Sequence, residues 1–153
     1  MPSPKGGRPG PFAKRFWPGF PAEVFLVALV AALALAPRLF DGLSALSWTR
    51  YHVAQAAVAP RPGEHARQAG HWAALTLDAL APLPAGAEAA RRAIALGQSI
   101  EGRDRTAALT LYMDVRAELE RLRTSRLRGL GLADLAAEAG RRAEAARPPG
   151  GHP

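Results

Sequence analysis

One uninterrupted apolar run constrains this chain more than any other feature. It extends from Val24 to Ala36 and contains thirteen residues without a polar side chain. With helix-compatible flanks it becomes a segment over 21–39, which as an α-helix is about 30 Å long and matches the hydrocarbon core of a bilayer. Aromatic residues lie beyond both ends, as is typical of membrane–water interfaces. The sequence therefore predicts a single N-terminal transmembrane helix.

Two other interpretations of this segment stay open. Thirteen residues is short for a membrane span and is compatible with a buried core helix. The basic start and the apolar length also fit a cleaved signal peptide, although the best small-residue cleavage site, Ala34-Leu35-Ala36, is followed by Pro37, which should obstruct cleavage. Because proline lacks the backbone N–H that a helix uses, Pro37 should also kink or end the apolar helix.

The distribution of basic residues sets the expected orientation. The tail over 1–20 is dense in Pro and Gly and is predicted to be disordered. Its charged residues are all basic: Lys5, Arg8, Lys14 and Arg15. Since basic flanks remain on the cytoplasmic side, we expect a single-pass protein of the inner (cytoplasmic) membrane. Its N-terminus would be cytoplasmic, and its C-terminal domain periplasmic or otherwise extracytoplasmic.

Charge and cysteine content limit the partners and the chemistry. The formal net charge of +7 would by itself suggest a nucleic-acid partner. The tail supplies much of this excess and is expected to contact anionic lipid headgroups, so membrane lipid is predicted as a partner and nucleic acid is not. The chain contains no cysteine, which excludes disulfides, cysteine-ligated zinc and thiol nucleophiles.

The rest of the chain is rich in Ala and poor in β-branched residues, which favours helices over strands. A juxtamembrane amphipathic helix is predicted over 40–60, either lying along the membrane surface or forming a stalk. A helical domain over 61–147 follows the loop Ala59–Gly63, and a disordered tail over 148–153 closes the chain. Apolar residues at helical spacing predict four helices in this domain: Glu64–Leu80, Ala85–Glu101, Asp104–Arg126 and Leu132–Ala146. The predicted fold is all-α, with one transmembrane helix and a small helical bundle or array.

The third of these helices has the clearest amphipathic pattern. Its apolar stripe consists of Ala108, Leu111, Tyr112, Val115, Leu119 and Leu122. Together with the preceding Leu96-Gly97, Ile100 and the turn Gly102-Arg103-Asp104, the start of this stripe resembles a single tetratricopeptide-type helical hairpin over about 88–116. Ala108 and Tyr112 match the small and aromatic positions of the family's second helix. The resemblance implies a tetratricopeptide-like helical array that binds proteins rather than catalysing a reaction.

The residues that could carry chemistry do not form a recognisable site. His65 and His71 are six positions apart and so lie on different faces of one helix, which disfavours a shared metal. Ser44, Ser47 and Thr49 precede His52 without a carboxylate nearby in sequence to orient the ring. Glycine-rich phosphate-binding motifs are absent. The sequence therefore predicts no catalytic, cofactor-binding or metal-binding residue and no small-molecule substrate.

The function predicted from the sequence is a non-enzymatic, membrane-anchored protein-interaction module or an accessory subunit of a membrane complex. An Ala-rich core buries little area per residue and would gain from a protein partner, whose identity the sequence does not give. The residues predicted to form a partner-binding face are Trp72, Tyr112, Arg116, Arg121 and Arg123. The alternative is an exported small-molecule binder or enzyme with a site between the helices, around Trp72, Tyr112 and the histidines.

Overall fold

The computed structural model describes residues 22–81, 83–123 and 132–148. The elements in these ranges are five α-helices, and the described residues contain no strand. The helices are α1 (Ala22–Val58), α2 (Gly63–Leu80), α3 (Pro84–Ile100), α4 (Arg105–Arg123) and α5 (Ala133–Ala146). The all-α prediction is confirmed. The predicted tails over 1–20 and 148–153 lie outside the described residues, apart from Pro148.

The predicted bounds of the last four helices agree with α2–α5 to within a residue, except at the end of α4, where 124–126 lie outside the described residues. Local signals explain the agreement. Pro84 occupies the start of α3, where a missing N–H costs no helical hydrogen bond. Asp104 precedes α4, and its Oδ1 accepts a hydrogen bond of 2.9 Å from the backbone N–H of Ala107, as a helix N-cap does.

Of the two outcomes predicted at Pro37, a kink or a helix end, the helix end is wrong, because Pro37 lies inside α1, which is 37 residues long. A proline in a helix interior costs about 3 kcal/mol, since it removes one hydrogen bond and crowds the preceding turn. Helix-forming residues on both sides offset that cost. There is consequently no separate juxtamembrane helix beginning near residue 40.

The described residues fall into two compact units, which divide between Leu35 and Ala36. The first contains the start of α1, where Glu23 to Leu35 are all exposed. Among the described residues, α1 is the one helix long and apolar enough to cross a membrane. Its most apolar 18-residue window has a mean hydropathy of 2.0, and no residue of that window is buried. The interpretation as a buried core helix is therefore wrong for this segment.

The second unit is built around closely packed alanines. Helix α2 packs against α3 and α4, and α4 also packs against α5. Fully buried alanines recur in these helices, for example Ala69, Ala93, Ala108 and Ala139. Small side chains let the helix backbones approach, and the larger buried residues fill the remaining space. The largest are Tyr112, Leu77, Leu80, Ile100, Leu111, Leu119 and Leu122.

The second part of α1 belongs to this unit instead of forming a stalk. Gly42, Thr49 and Ala56 are buried, and Leu46 and Ala56 join the hydrophobic core. The hydroxyl of Thr49 lies 3.5 Å from that of Thr76 on α2. Because one side of this segment is covered by α2, the segment does not project as a free stalk, and its placement along the membrane surface stays a prediction.

Two neighbouring arginines cap the C-termini of different helices. The guanidinium of Arg103 donates hydrogen bonds to the carbonyl oxygens of Ala57 at 3.0 Å and Ala59 at 3.3 Å, at the end of α1. Arg105 donates to the carbonyls of Ala145, Ala146 and Arg147, at the end of α5, over 2.9–3.1 Å. A cation at this position satisfies carbonyls left without helical partners and complements the helix dipole.

These caps give a prediction in which each arginine serves as the control for the other. Arg105→Ala is expected to lower the free energy of unfolding by about 1 kcal/mol and to accelerate amide exchange in the last turn of α5. Arg103→Ala should accelerate exchange in the last turn of α1 instead. Hydrogen–deuterium exchange read by mass spectrometry measures both. Equal acceleration of both helix ends by either variant would contradict the assignment.

Candidate functional site

The five residues predicted as a partner-binding face do not form one surface. Trp72 is half-buried on α2, where its ring stacks on Trp48 of α1. Tyr112 on α4 is 0% exposed. Only the three arginines of α4 are exposed. The inclusion of Tyr112 in a binding face is wrong, because its ring is part of the core.

Tyr112 has the largest buried side chain among the described residues, and it lies against Gly97 of α3. A Cβ atom added to Gly97 would be 2.4 Å from Cε1 of the Tyr112 ring, so the glycine leaves the space that the ring occupies. The Tyr112 hydroxyl donates a hydrogen bond of 3.3 Å to Oε2 of Glu101. Burial, and secondarily the negative charge of Glu101, raises the pKa of Tyr112 to about 12. The residue is a structural element of the α3–α4 contact.

The three arginines pair with acidic residues of the same chain. Arg123 lies 2.9 Å from Glu120, and Arg116 is 3.9 Å from Glu144 on α5. Arg121 donates to Asp78 on α2 at 2.7 Å and also to Glu118. Arg38 of α1 is 3.8 Å from Asp78, so this carboxylate connects α1, α2 and α4. Exposed pairs of this kind contribute about 0–1 kcal/mol each and here link the helices.

A group of aromatic and histidine side chains lies where α1 meets α2, with Tyr51 at its exposed edge, and we call it the aromatic–histidine cluster: Trp48, Tyr51, His52, His65 and Trp72. The two tryptophan rings stack with centroids 5.9 Å apart and planes at 23°. Tyr51 meets Trp48 edge-on at 5.7 Å. The Nδ1 atoms of His52 and His65 are 3.2 Å apart.

The sequence did not predict this histidine pair. The sequence analysis considered His65 and His71, which are on the same helix, as a possible pair. In the structure, the partner of His65 is His52 on α1. The signal available was weak: Trp48 and His52 are four residues apart, and His65 and Trp72 are seven apart, so each pair repeats on one helix face. Which faces meet depends on the packing of α1 against α2.

Protonation of His52 is disfavoured by its surroundings. Burial lowers the pKa of His52, the nearby His65 ring lowers it further, and the charge of Glu64 opposes both effects. Glu64 is itself held by Gln68 and Arg67, whose hydrogen bonds and charge lower the pKa of its carboxyl. The folded unit therefore favours the neutral imidazole at position 52.

The hydroxyl groups near His52 are bonded to their own helix. Ser47 Oγ donates to the carbonyl of Leu43 at 3.1 Å, and Thr49 Oγ1 donates to the carbonyl of Ala45 at 2.9 Å. These are the hydrogen bonds by which Ser and Thr back-bond in helices. Neither hydroxyl is oriented by a histidine, and the arrangement does not resemble that of an activated nucleophile.

An open groove of ≈ 400 Å³ runs between α1 and α2. Its lining combines two large apolar side chains, Trp72 and Leu75, and two alanines with three charged side chains, Arg38, Asp41 and Asp78. The volume is within the range of small-ligand sites, but such sites are usually deeper and more apolar. If the chain binds a small molecule between its helices, this groove beside Trp72 is the better candidate than the buried Tyr112.

The side of α1 turned away from α2 is apolar, and we call it the outer face of α1: Phe40, Leu43, Tyr51 and Val58. These side chains are 73%, 55%, 49% and 78% exposed. They repeat at helical spacing, opposite the buried Gly42, Leu46 and Thr49 side.

The chain was also compared with protein-family models, curated proteins and solved structures, and none of the three comparisons finds a match.

Proposed function

We propose that this chain is a single-pass membrane protein whose helical unit binds a protein partner, as an interaction module or accessory subunit of a membrane complex, without catalysis. The observation that carries the proposal is the exposed apolar outer face of α1, which follows directly on the apolar start of the same helix. The N-terminal tail would be cytoplasmic, and the helical unit periplasmic or otherwise extracytoplasmic, as the basic residues of the tail favour.

The length of α1 supports two parts with different roles, one in the membrane and one in the helical unit. As an α-helix of 37 residues it is about 55 Å long, whereas a hydrocarbon core is about 30 Å thick. The predicted span over 21–39 would therefore occupy the membrane, with Arg38 at its boundary, where it meets Asp78 of α2. From Gly42 onward one side of α1 is covered by α2, which assigns that part to the helical unit.

The outer face of α1 supports a protein partner. Isolated exposed apolar residues are common, but several large ones in line on one helix face indicate an interaction surface. An amphipathic helix of the partner, packed along α1, would cover such a stripe. The arginines of α4 offer a weaker case, because they already form ion pairs within the chain.

The tetratricopeptide-like arrangement is part of this proposal. It is supported by the close approach of Gly97 on α3 to the Tyr112 ring on α4 and by the complete burial of Ala108. These are the positions through which the sequence resembles one repeat of that family. Any helical hairpin with a small residue at its crossing would show a similar contact, so this part of the proposal is secondary.

Membrane anchoring is tested by placing charge in the apolar segment. Each arginine near the centre of a spanning helix costs about 2.5–3.5 kcal/mol on insertion scales, so Leu29→Arg combined with Leu33→Arg should prevent stable insertion. We expect the wild-type chain to stay in the membrane pellet after an alkaline wash and the double variant to leave it. Leu83→Arg, at an exposed leucine before α3, is the matched control and should behave as wild type.

Two outcomes would contradict the anchor. Release of the wild-type chain from the membrane by the alkaline wash would show that the apolar segment is not a membrane anchor. An intact mass that lacks the residues before about 37 would instead establish the signal-peptide interpretation.

The protein partner is tested by purification in mild detergent, with companion proteins identified by mass. We expect a companion at fixed stoichiometry, retained by Met113→Lys, which places a charge on an exposed residue of α4. Leu43→Lys combined with Val58→Lys, both on the outer face of α1, should lose it while keeping the helical circular dichroism spectrum. Recovery of the wild-type chain alone, at monomer mass, would contradict the proposal.

A second candidate, an exported small-molecule binder, is favoured by the groove beside Trp72. It predicts that a metabolite raises the thermal unfolding midpoint of the wild-type chain and that Trp72→Leu removes the effect. If no metabolite raises the unfolding midpoint, the small-molecule candidate is contradicted and the protein-binding proposal stays.

A further inference from the structure

The histidine pair of the aromatic–histidine cluster has an unusual geometry. The Nδ1 atoms of His52 and His65 are 3.2 Å apart, and their ring centroids are 5.5 Å apart. The separation of the centroids is close to the sum of three distances: the Nδ1–Nδ1 distance and, in each ring, the distance from the centroid to its own Nδ1. Each ring therefore directs its Nδ1 straight at the other ring, as a donor and an acceptor do in an N–H···N hydrogen bond.

A metal site is the less suitable explanation of the pair. Two imidazoles that share a zinc ion direct their lone pairs at the ion from a roughly tetrahedral angle, and not at each other. Among the described residues, no group of three metal-ligating side chains is found. The hydrogen bond accounts for the geometry without a third group.

We propose that the His52–His65 hydrogen bond is a proton-operated latch, which holds the last turns of α1 against the start of α2 and releases them when both rings are protonated. An N–H···N bond needs one ring nitrogen with a lone pair. The neutral pair and the singly protonated pair both provide it. A doubly protonated pair has two donors and no acceptor, and it places two positive charges side by side.

The groups around the pair do not compensate the positive charge of two protonated rings. On α1 the Tyr51 ring meets His52 edge-on at 5.1 Å. On α2 the nearby acid is Glu64, which is engaged by Arg67. The α3–α4 turn contributes Arg103, whose guanidinium is bound to carbonyls at the end of α1. One acid that is already paired cannot neutralise two imidazolium ions and the guanidinium.

The sign of the pH dependence follows from the pKa of His52, which burial and His65 lower relative to the unfolded chain. A group whose pKa is lowered in the folded state is neutral there while the unfolded chain takes up the proton. Its contribution to stability is present above the unfolded pKa of about 6.5 and is lost as the pH falls below that value. Release of α1 is therefore expected on acidification toward about pH 5.

The first experiment follows the histidines of the full chain in detergent micelles by NMR, with the ring carbons labelled. His52 should titrate at a lower pH than an unperturbed imidazole, because burial and the nearby His65 ring disfavour its protonated form. His65→Ala should move the titration of His52 to higher pH, because it removes one of the groups that lower the pKa of His52, whereas His71→Ala, on the exposed side of α2, should leave it unchanged. If His65→Ala does not change the pH at which His52 titrates, the latch proposal is overturned.

The second experiment observes release directly. Because the chain has no cysteine, Val58→Cys on α1 and Ala95→Cys on α3, both exposed, give two unique positions for spin labels. The distance distribution between them should be narrow at about pH 7.5 and clearly broader at about pH 5. In a chain that also carries His52→Gln and His65→Gln, the distribution should not change between these pH values. Equal broadening in both chains, or none in the first, would overturn the proposal.

Discussion

Replacing Gly97 with valine is expected to lower the free energy of unfolding by about 3 kcal/mol. Even the Cβ atom of the new side chain would lie 2.4 Å from Cε1 and 2.7 Å from Cζ of Tyr112. The Tyr112 ring is fully buried between α3 and α4, so it cannot turn aside without opening the core. Helix propensity offsets little of this cost, because valine and glycine differ by only a few tenths of a kcal/mol.

The measurement is thermal and denaturant unfolding of the full chain in mild detergent, followed by circular dichroism. Gly102→Val is the control, because a Cβ atom there meets nothing within 4 Å, and it should change stability by less than about 0.5 kcal/mol. Tyr112→Leu should restore part of the stability lost in Gly97→Val, since it removes the ring atoms of the clash. Equal stability of the two glycine variants would show that α3 and α4 do not approach through Gly97.

The sequence predicted α2–α5 well because their signals are local. The apolar stripe of α4 was predicted correctly, and its residues from Ala108 to Leu122 are buried. The same pattern should have kept Tyr112 out of a binding face, since a residue of the stripe cannot also face solvent. The predicted helix end at Pro37 was wrong because proline is a local signal, and its cost was outweighed by the helix-forming residues around it.

The candidate site could be predicted only in part. The exposed apolar start of α1 was visible as a run of thirteen residues, and the described structure leaves that run uncovered. The outer face of α1 and the His52–His65 pair were not predicted, because both depend on which side of α1 packs against α2. That choice is made by a close contact between residues 38 positions apart, Gly42 and Leu80, which no periodicity within a single helix can reveal.

Gly42→Val is expected to separate α1 from α2 and to lower the free energy of unfolding by about 3 kcal/mol. A Cβ atom at position 42 would lie 2.4 Å from Cγ and 2.5 Å from Cδ2 of Leu80, and 2.9 Å from Cβ of Ala79. Leu80 is only 1% exposed, so its side chain has little space to move. Ser47→Val is the matched control, because it places the same side chain on the exposed side of the same helix.

Tryptophan fluorescence distinguishes this separation from general unfolding. In a Trp17→Phe background the remaining tryptophans are Trp48 on α1 and Trp72 on α2, whose stacking requires the two helices to be in contact. Gly42→Val should change their emission, and Gly42→Val with Leu80→Ala should recover part of it. Membrane association should persist in all of these chains, because the apolar run from Val24 to Ala36 is unaltered. If Gly42→Val instead kept the tryptophan emission and the stability of the wild-type chain, α1 would not contact α2 through Gly42. The outer face of α1 would then no longer be defined by that contact.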